Sequence, residues 1–216
     1  MLTRGDMTVE DCLDVIDLVA PVGLRHVGFK DVGVDPSVLR ELNRRIKAKG
    51  ATSYMEVVST SHDAALASAR SAVTIGVDRL LGGTDAEGML SLLKGSRIAY
   101  YPFPGRPIGH PTVLGGSPAD VAADCRRFGK LGCAGVDLLA YRASQADPLE
   151  LVRAARAATN GYLVAAGSVD SPQRIRDLAK AGADAFTIGS AAFDGSFSPR
   201  KGSLLSQLRD IVAACA

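Results

Sequence analysis

Eight short runs rich in apolar and β-branched residues alternate with eight helix-length stretches along the 216 residues. Each βα unit takes about 27 residues, and Gly-Ser pairs end the last two strands. Together these observations predict an α/β fold, a compact TIM (β/α)8 barrel with a phosphate-binding motif near its C-terminus. Strict βα alternation requires a parallel sheet covered by helices. An open doubly wound sheet is the competing arrangement, and the count of eight units favours closure, since such barrels run to ~200–250 residues. No linker, low-complexity stretch or composition shift divides the chain, so residues 1–216 are expected to form a single domain.

Strands are expected at 1–4, 25–30, 52–58, 79–81, 97–103, 135–140, 162–166 and 185–188. Helices are expected at 9–20, 36–49, 62–75, 86–93, 118–131, 148–159, 172–181 and 203–214. Four helices announce their starts: Asp35-Pro36, Ser117-Pro118, Asp147-Pro148 and Ser171-Pro172 each place a capping side chain before proline at the first helical position. Gly50, Gly76, Gly95, Gly132, Gly161 and Gly182 mark helix ends, where a left-handed residue is favoured.

Composition excludes several function classes. Lys and Arg number 25 against 23 Asp and Glu, and no basic block exceeds two residues, so nucleic acid is not an expected partner. The four cysteines, Cys12, Cys125, Cys133 and Cys215, form no CxxC pair. They support neither a zinc ribbon nor a disulfide framework. Charges throughout the first 20 residues (Arg4, Asp6, Glu10, Asp11, Asp14, Asp17) exclude a signal-peptide core, and no apolar run is long enough to span a membrane. A soluble cytoplasmic protein is expected, with no cofactor and no obligatory metal. The architecture, with its first strand exposed, points to a homodimer.

The most informative segment is 163–195. One buried strand ends in Gly167-Ser168, and the next, one βα unit later, ends in Gly189-Ser190. Both pairs then lie at the same edge of adjacent parallel strands. Glycine there lets the main chain approach a ligand, and the N–H groups that follow can hold an anion. Residues 191–193 can supply a short helical turn. The loops after strands seven and eight are where barrels commonly hold phosphate. Residues 162–195 (VAAGSVDSPQRI…AGADAFTIGSAAF) resemble the ribulose-phosphate-binding barrel superfamily. That group includes phosphoribosylanthranilate isomerase, indole-glycerol-phosphate synthase and the hexulose-phosphate synthases. The resemblance implies a phosphate gripped at Gly167, Ser168, Gly189 and Ser190.

Chemistry in a barrel sits at the carboxyl ends of the strands. HVGFKDVGV puts Lys30 and Asp31 at the second strand's mouth, where a lysine can form a Schiff base, act as an acid or neutralise an anion. The order MLTR…HVGFKDVG is similar to the furan-phosphate synthase family of methanofuran synthesis, which implies a Schiff-base role for Lys30. Glu56, inside the apolar run YMEVVS, either pairs with Lys30 on the adjacent strand or serves as a general base. Asp137 in GVDLLAY follows the same logic. Arg4, Asp6 and Arg142 follow strands and are open to either substrate contact or solvation. The longest connection, PFPGRPIGHPTVLGGS, is a candidate lid carrying Arg106 and His110.

The leading expectation is an enzyme acting on a small phosphorylated, sugar-like metabolite. It would be an isomerase or epimerase, or a carbon–carbon lyase, with Lys30, Glu56 and Asp137 as catalytic candidates. Two alternatives stand beside it: a class I aldolase or synthase using Lys30, and a non-catalytic phosphometabolite-binding barrel.

Overall fold

Period-two strands with apolar residues on both faces can be buried only between two layers, and the chain builds that arrangement. The computed structural model describes residues 1–59, 61–109 and 111–215. The order is β1 (Thr3–Arg4), β2 (Met7–Thr8), α1 (Cys12–Leu18), β3 (His26–Lys30), α2 (Pro36–Ala48), β4 (Thr52–Glu56), α3 (His62–Ile75), β5 (Arg79–Leu81), α4 (Ala86–Leu93) and β6 (Ala99–Tyr101). It continues through β7 (Arg106–Ile108), β8 (Val113–Gly115), α5 (Pro118–Leu131), β9 (Gly135–Leu138), α6 (Pro148–Ala158) and β10 (Tyr162–Ala165). The chain ends with α7 (Pro172–Ala181), β11 (Ala185–Phe186), α8 (Ser190–Phe193) and α9 (Leu204–Ala213).

Strands β3, β4, β5 and β6 form one parallel sheet, and β9, β10 and β11 another. Main-chain hydrogen bonds join them at both seams. At one, Ala134 N–H donates to Tyr100 O and Asp137 N–H to Pro102 O, both at 3.0 Å. At the other, Leu2 N–H donates to Gly28 O and the Met1 nitrogen to Ile188 O, both at 2.7 Å. The N-terminal segment therefore lies between β3 and β11, and the ring runs β1, β3, β4, β5, β6, β9, β10, β11.

Alternation along the strands separates two apolar layers. Phe29, Met55, Leu80, Tyr100 and Leu163 face the helices and meet Leu42, Ile46, Met89, Phe128 and Leu151. Tyr54, Leu81, Tyr101 and Val164 form a separate cluster that fills the barrel. At its amino-terminal end the Arg79 guanidinium lies over the Tyr54, Tyr101 and Tyr162 rings, 5.2, 5.7 and 5.2 Å from their centres. The opposite end is left open.

Three of the four expected caps are made. Ser117 forms a capping box with Asp120, Asp147 accepts from Leu149 and Glu150 N–H, and Ser171 accepts from Arg174 N–H. Asp35 makes no side-chain cap. Gly161 is not a left-handed cap; Thr159 ends α6 in extended conformation, and Gly161 packs instead against Gly135, whose Cα lies 2.9 Å from where a Cβ would stand.

The main departures are two hairpins. Thr3 pairs with Thr8 and Arg4 with Met7 across a two-residue turn, so the first strand folds back on itself instead of running straight into a helix. Gly5 and Asp6 both have positive φ (56° and 62°), as a type I′ turn demands. The helix expected at 9–20 is correspondingly confined to Cys12–Leu18, followed by a 3-10 turn at Ala20–Val22. The long connection holds the antiparallel pair β7–β8, with Ile108 opposite Val113. Among the described residues no helix is long and apolar enough to cross a membrane.

Candidate active site

Lys30 and Glu56 end adjacent strands in register, so the ladder alone brings their side chains together. Lys30 Nζ donates to Glu56 Oε1 at 2.9 Å. It donates a second bond to Asp6 Oδ1 at 3.0 Å, which the β1–β2 turn carries over the mouth. Asp6 in turn receives a two-pronged bond from Arg142, with Nη1 to Oδ2 at 2.6 Å and Nη2 to Oδ1 at 2.7 Å. Such a fork fixes direction as well as distance. Thr8 anchors the hairpin by accepting from Lys30 N–H and donating to Lys30 O. The result is a chain of four charges, Arg142, Asp6, Lys30 and Glu56, summing to zero. Lys30, Glu56 and Asp6 are only 6%, 4% and 7% exposed.

Burial works against the Lys30 ammonium, but Glu56 and Asp6 beside it hold its pKa above the ordinary lysine value. Burial likewise opposes ionisation of Asp6, and the Arg142 fork with Lys30 overcomes this, keeping its carboxyl well below the usual range. Asp31 turns the other way. It accepts from Val58 N–H at 3.0 Å and from the Ser68 hydroxyl, tying the β3 loop to α3.

Asp137 is fully buried, and among the described residues neither of its oxygens has a hydrogen-bond partner. Burial, with the negative charge of Glu56 adding to it, pushes its carboxyl well above the ordinary range. A carboxyl so placed favours its neutral form. It does not line the open mouth, unlike the other catalytic candidates.

A cavity of about 260 Å3 opens at the mouth. Lys30, Glu56, Asp6 and Arg142 line one side; Gly167, Ser168, Gly189 and Ser190 line the other. The Gly167–Ser168 turn carries two positive-φ residues in succession (78° and 56°). Arg174 Nη1 holds the Ser168 carbonyl at 2.5 Å, and because the peptide is planar and trans, the Val169 N–H points the opposite way. The Gly189 carbonyl is taken by Ala192 and Phe193 N–H at the start of α8, so the Ser190 N–H also points away from the helix. Among the described residues, the N–H groups of Ser168, Val169, Ser190 and Ala191 have no protein acceptor.

The two glycines are explained by packing. A Cβ on Gly167 would stand 2.5 Å from Arg142 Nε. One on Gly189 would stand 2.9 Å from Thr3 O and nearer still to the Thr3 hydroxyl. Close approach is required here by the protein's own chains, which seat Arg142 and β1 against the two loops.

Arg106 is exposed at the start of β7 and is not among the residues lining this cavity; His110 lies outside the described residues. Of Arg4, Asp6 and Arg142, which the sequence leaves open, Asp6 and Arg142 line the cavity and Arg4 does not. Gly5-Asp6 between two pairs of extended residues was the available signal, since that dipeptide is a hairpin turn pair. Nothing comparable marks Arg142, which a 3-10 turn at Ala140–Arg142 delivers. Among the described residues no group of three or more His, Cys, Asp or Glu is arranged to hold a metal ion.

No family profile and no curated protein matches the sequence. Solved structures do. Orotidine 5'-phosphate decarboxylase from Pyrococcus horikoshii OT3 superposes with a TM-score of 0.68 at 13% identity, over 95% of this chain and 94% of that one. Phosphoribosylanthranilate isomerase from Thermotoga maritima, in a monomeric form, gives 0.63 at 13% identity, over 94% and 93%. The fold is a (β/α)8 barrel. The Amycolatopsis orientalis BexX/CysO complex is also similar, with a TM-score of 0.63, 17% identity and coverage of 98% and 88%. At these identities the likeness concerns the fold, and the chemistry has to be argued from this chain's own side chains.

Proposed function

We propose that this barrel is an enzyme acting on a small sugar-like monophosphate. The phosphate is held by the main-chain N–H groups of the loops at Gly167-Ser168 and Gly189-Ser190, and the reacting carbon lies at Lys30 and Glu56. The observation that carries this reading is that one cavity unites outward-pointing amides with a buried Lys–Glu pair. All four charges of the network are already matched, so the oriented amides supply the anion site. The volume, about 260 Å3, is below that of pockets built for drug-sized ligands and suits a compact metabolite.

Glu56 takes a proton from the carbon next to a carbonyl. The electron pair moves onto the carbonyl oxygen, where a Lys30 N–H stabilises the charge. Return of the proton gives an isomerase or epimerase. In a lyase Glu56 instead takes the proton of a hydroxyl one carbon further on. That carbon becomes a carbonyl as its bond to the carbon beside the first carbonyl breaks, and the electron pair of the broken bond passes to the same carbonyl oxygen. Remote phosphate binding holds the carbon in line for the transfer.

Incubation with triose to hexose monophosphates in D2O, followed by NMR, reads the proton transfer whatever the net product. At least one sugar phosphate is expected to gain deuterium beside its carbonyl, and Glu56→Gln slows the exchange on the order of 10²- to 10⁴-fold. Binding without exchange in any of them leaves the non-catalytic binding barrel as the answer. A borohydride-trapped adduct on Lys30 of the wild-type protein supports the Schiff-base alternative instead.

A further inference from the structure

The least expected feature of the site is Asp6. It approaches Lys30 from a turn that no strand ladder requires, in a left-handed conformation that side chains rarely adopt. It is buried, and every oxygen is used: Oδ1 receives both Lys30 and Arg142, and Oδ2 receives Arg142. The turn itself is bolted down from the far side. Gly5 N–H donates to Ser190 Oγ at 3.3 Å, and Arg4 reaches Asp194 at 2.9 Å and Phe193 O at 3.1 Å. Arg142 is equally fixed, donating to Thr112 O and packed on Gly167.

Glu56 alone suffices to pair Lys30. A second carboxylate, itself neutralised by an arginine, therefore needs a reason beyond charge balance. We propose that Asp6 is the positioning residue that sets what Lys30 does: clamped by Arg142 and bound to Lys30, it commits the Lys30 amine to acting as a charged hydrogen-bond donor instead of a nucleophile. The inference rests on the reading of Lys30 as part of the reacting site, but its geometry does not depend on the identity of the substrate.

Two bonds to fixed carboxylates hold Nζ in place and leave one N–H for a ligand oxygen. Losing the proton would leave two buried carboxylates facing a neutral amine. Asp6 therefore disfavours the form that attacks a carbonyl. Arg142 moderates this effect, because it draws on the same carboxylate and repels the ammonium. The charged and titratable groups facing Lys30 are Asp6 from the β1–β2 turn, Glu56 from β4, Arg142 from the turn after β9, the Met1 amino group, whose pKa burial lowers to about 6, and Asp137 on β9, whose carboxyl burial pushes up.

The test is the rate at which acetic anhydride labels Lys30 as pH is varied, read by peptide mass spectrometry on the intact folded chain. Asp6→Asn keeps a residue that tolerates the left-handed turn and removes only the charge. It is expected to label on the order of tenfold faster than wild type at a given pH, equivalent to about one pH unit in the amine's titration. Arg142→Gln leaves Asp6 wholly to Lys30 and is expected to label more slowly than wild type. Opposite signs for the two variants are the signature of the proposed role. Equal rates in all three proteins, or faster labelling in both variants, overturn it. Because no sugar phosphate is used, that outcome is distinct from failure of the deuterium exchange, which concerns the function itself.

Discussion

At the scale of single residues, Asp137 is the group whose ionisation the fold least tolerates. Burial and the nearby Glu56 push its carboxyl well above the ordinary range in the native barrel, while the unfolded chain releases that proton above a pH of about 4. A group with a raised native pKa contributes fully to stability below the unfolded value. That contribution is lost as pH rises toward the native value, because only the unfolded state gains from ionising. Relative to Asp137→Asn, which cannot titrate, wild-type stability is therefore expected to fall by about 1.4 kcal/mol per pH unit between pH 5 and the native pKa. Urea denaturation of both proteins at several pH values measures this. A difference independent of pH would show that Asp137 ionises freely in the fold. Lys30 and Asp6 stand in contrast, since each is buried with its partners in place.

At the scale of elements, helix starts and strand ends carry different information. Ser117 caps α5 with a reciprocal box, whereas Asp35 before α2 makes no side-chain bond. Ser117→Ala is expected to lower stability by about 1 kcal/mol, while Asp35→Ala leaves it nearly unchanged, both read as shifts in the urea midpoint. The two look alike in sequence, each a capping residue followed by proline. Three positions on, Asp120 returns a bond to Ser117, whereas Val38 has no polar group to return one to Asp35. Apart from the β7–β8 hairpin, the strands and helices from β3 onward follow from alternation and caps, and so does the registry that sets Lys30 opposite Glu56. The β1–β2 hairpin did not, because its strands are two residues each and leave no period to read. Its turn residues were visible, but not the fact that they deliver Asp6 into the mouth. The same limit applies to Arg142 and to the packing of Gly167 against it. Those are contacts between residues about 25 and 136 positions apart, which no local pattern encodes.

At the scale of the whole molecule, the ring divides labour between its two ends. Arg79 and three tyrosines fill one end, and the other holds the charge network and the cavity. The segment containing Met1 and Leu2 closes the ring between β3 and β11, and the hairpin that follows it links Lys30 to the last loop. The two halves of the proposed site, amides from β10 and β11 and side chains from β3 and β4, thus meet only because the barrel closes. A two-dimensional 15N–1H NMR titration with inorganic phosphate examines that meeting point amide by amide. The account predicts saturable shifts centred on Ser168, Val169, Ser190 and Ala191, attenuated when Ser168→Glu places a negative charge in the loop. Shifts confined to other loops, such as those that begin α3 at His62 and α4 at Asp85, or no saturable shift at all, would contradict it.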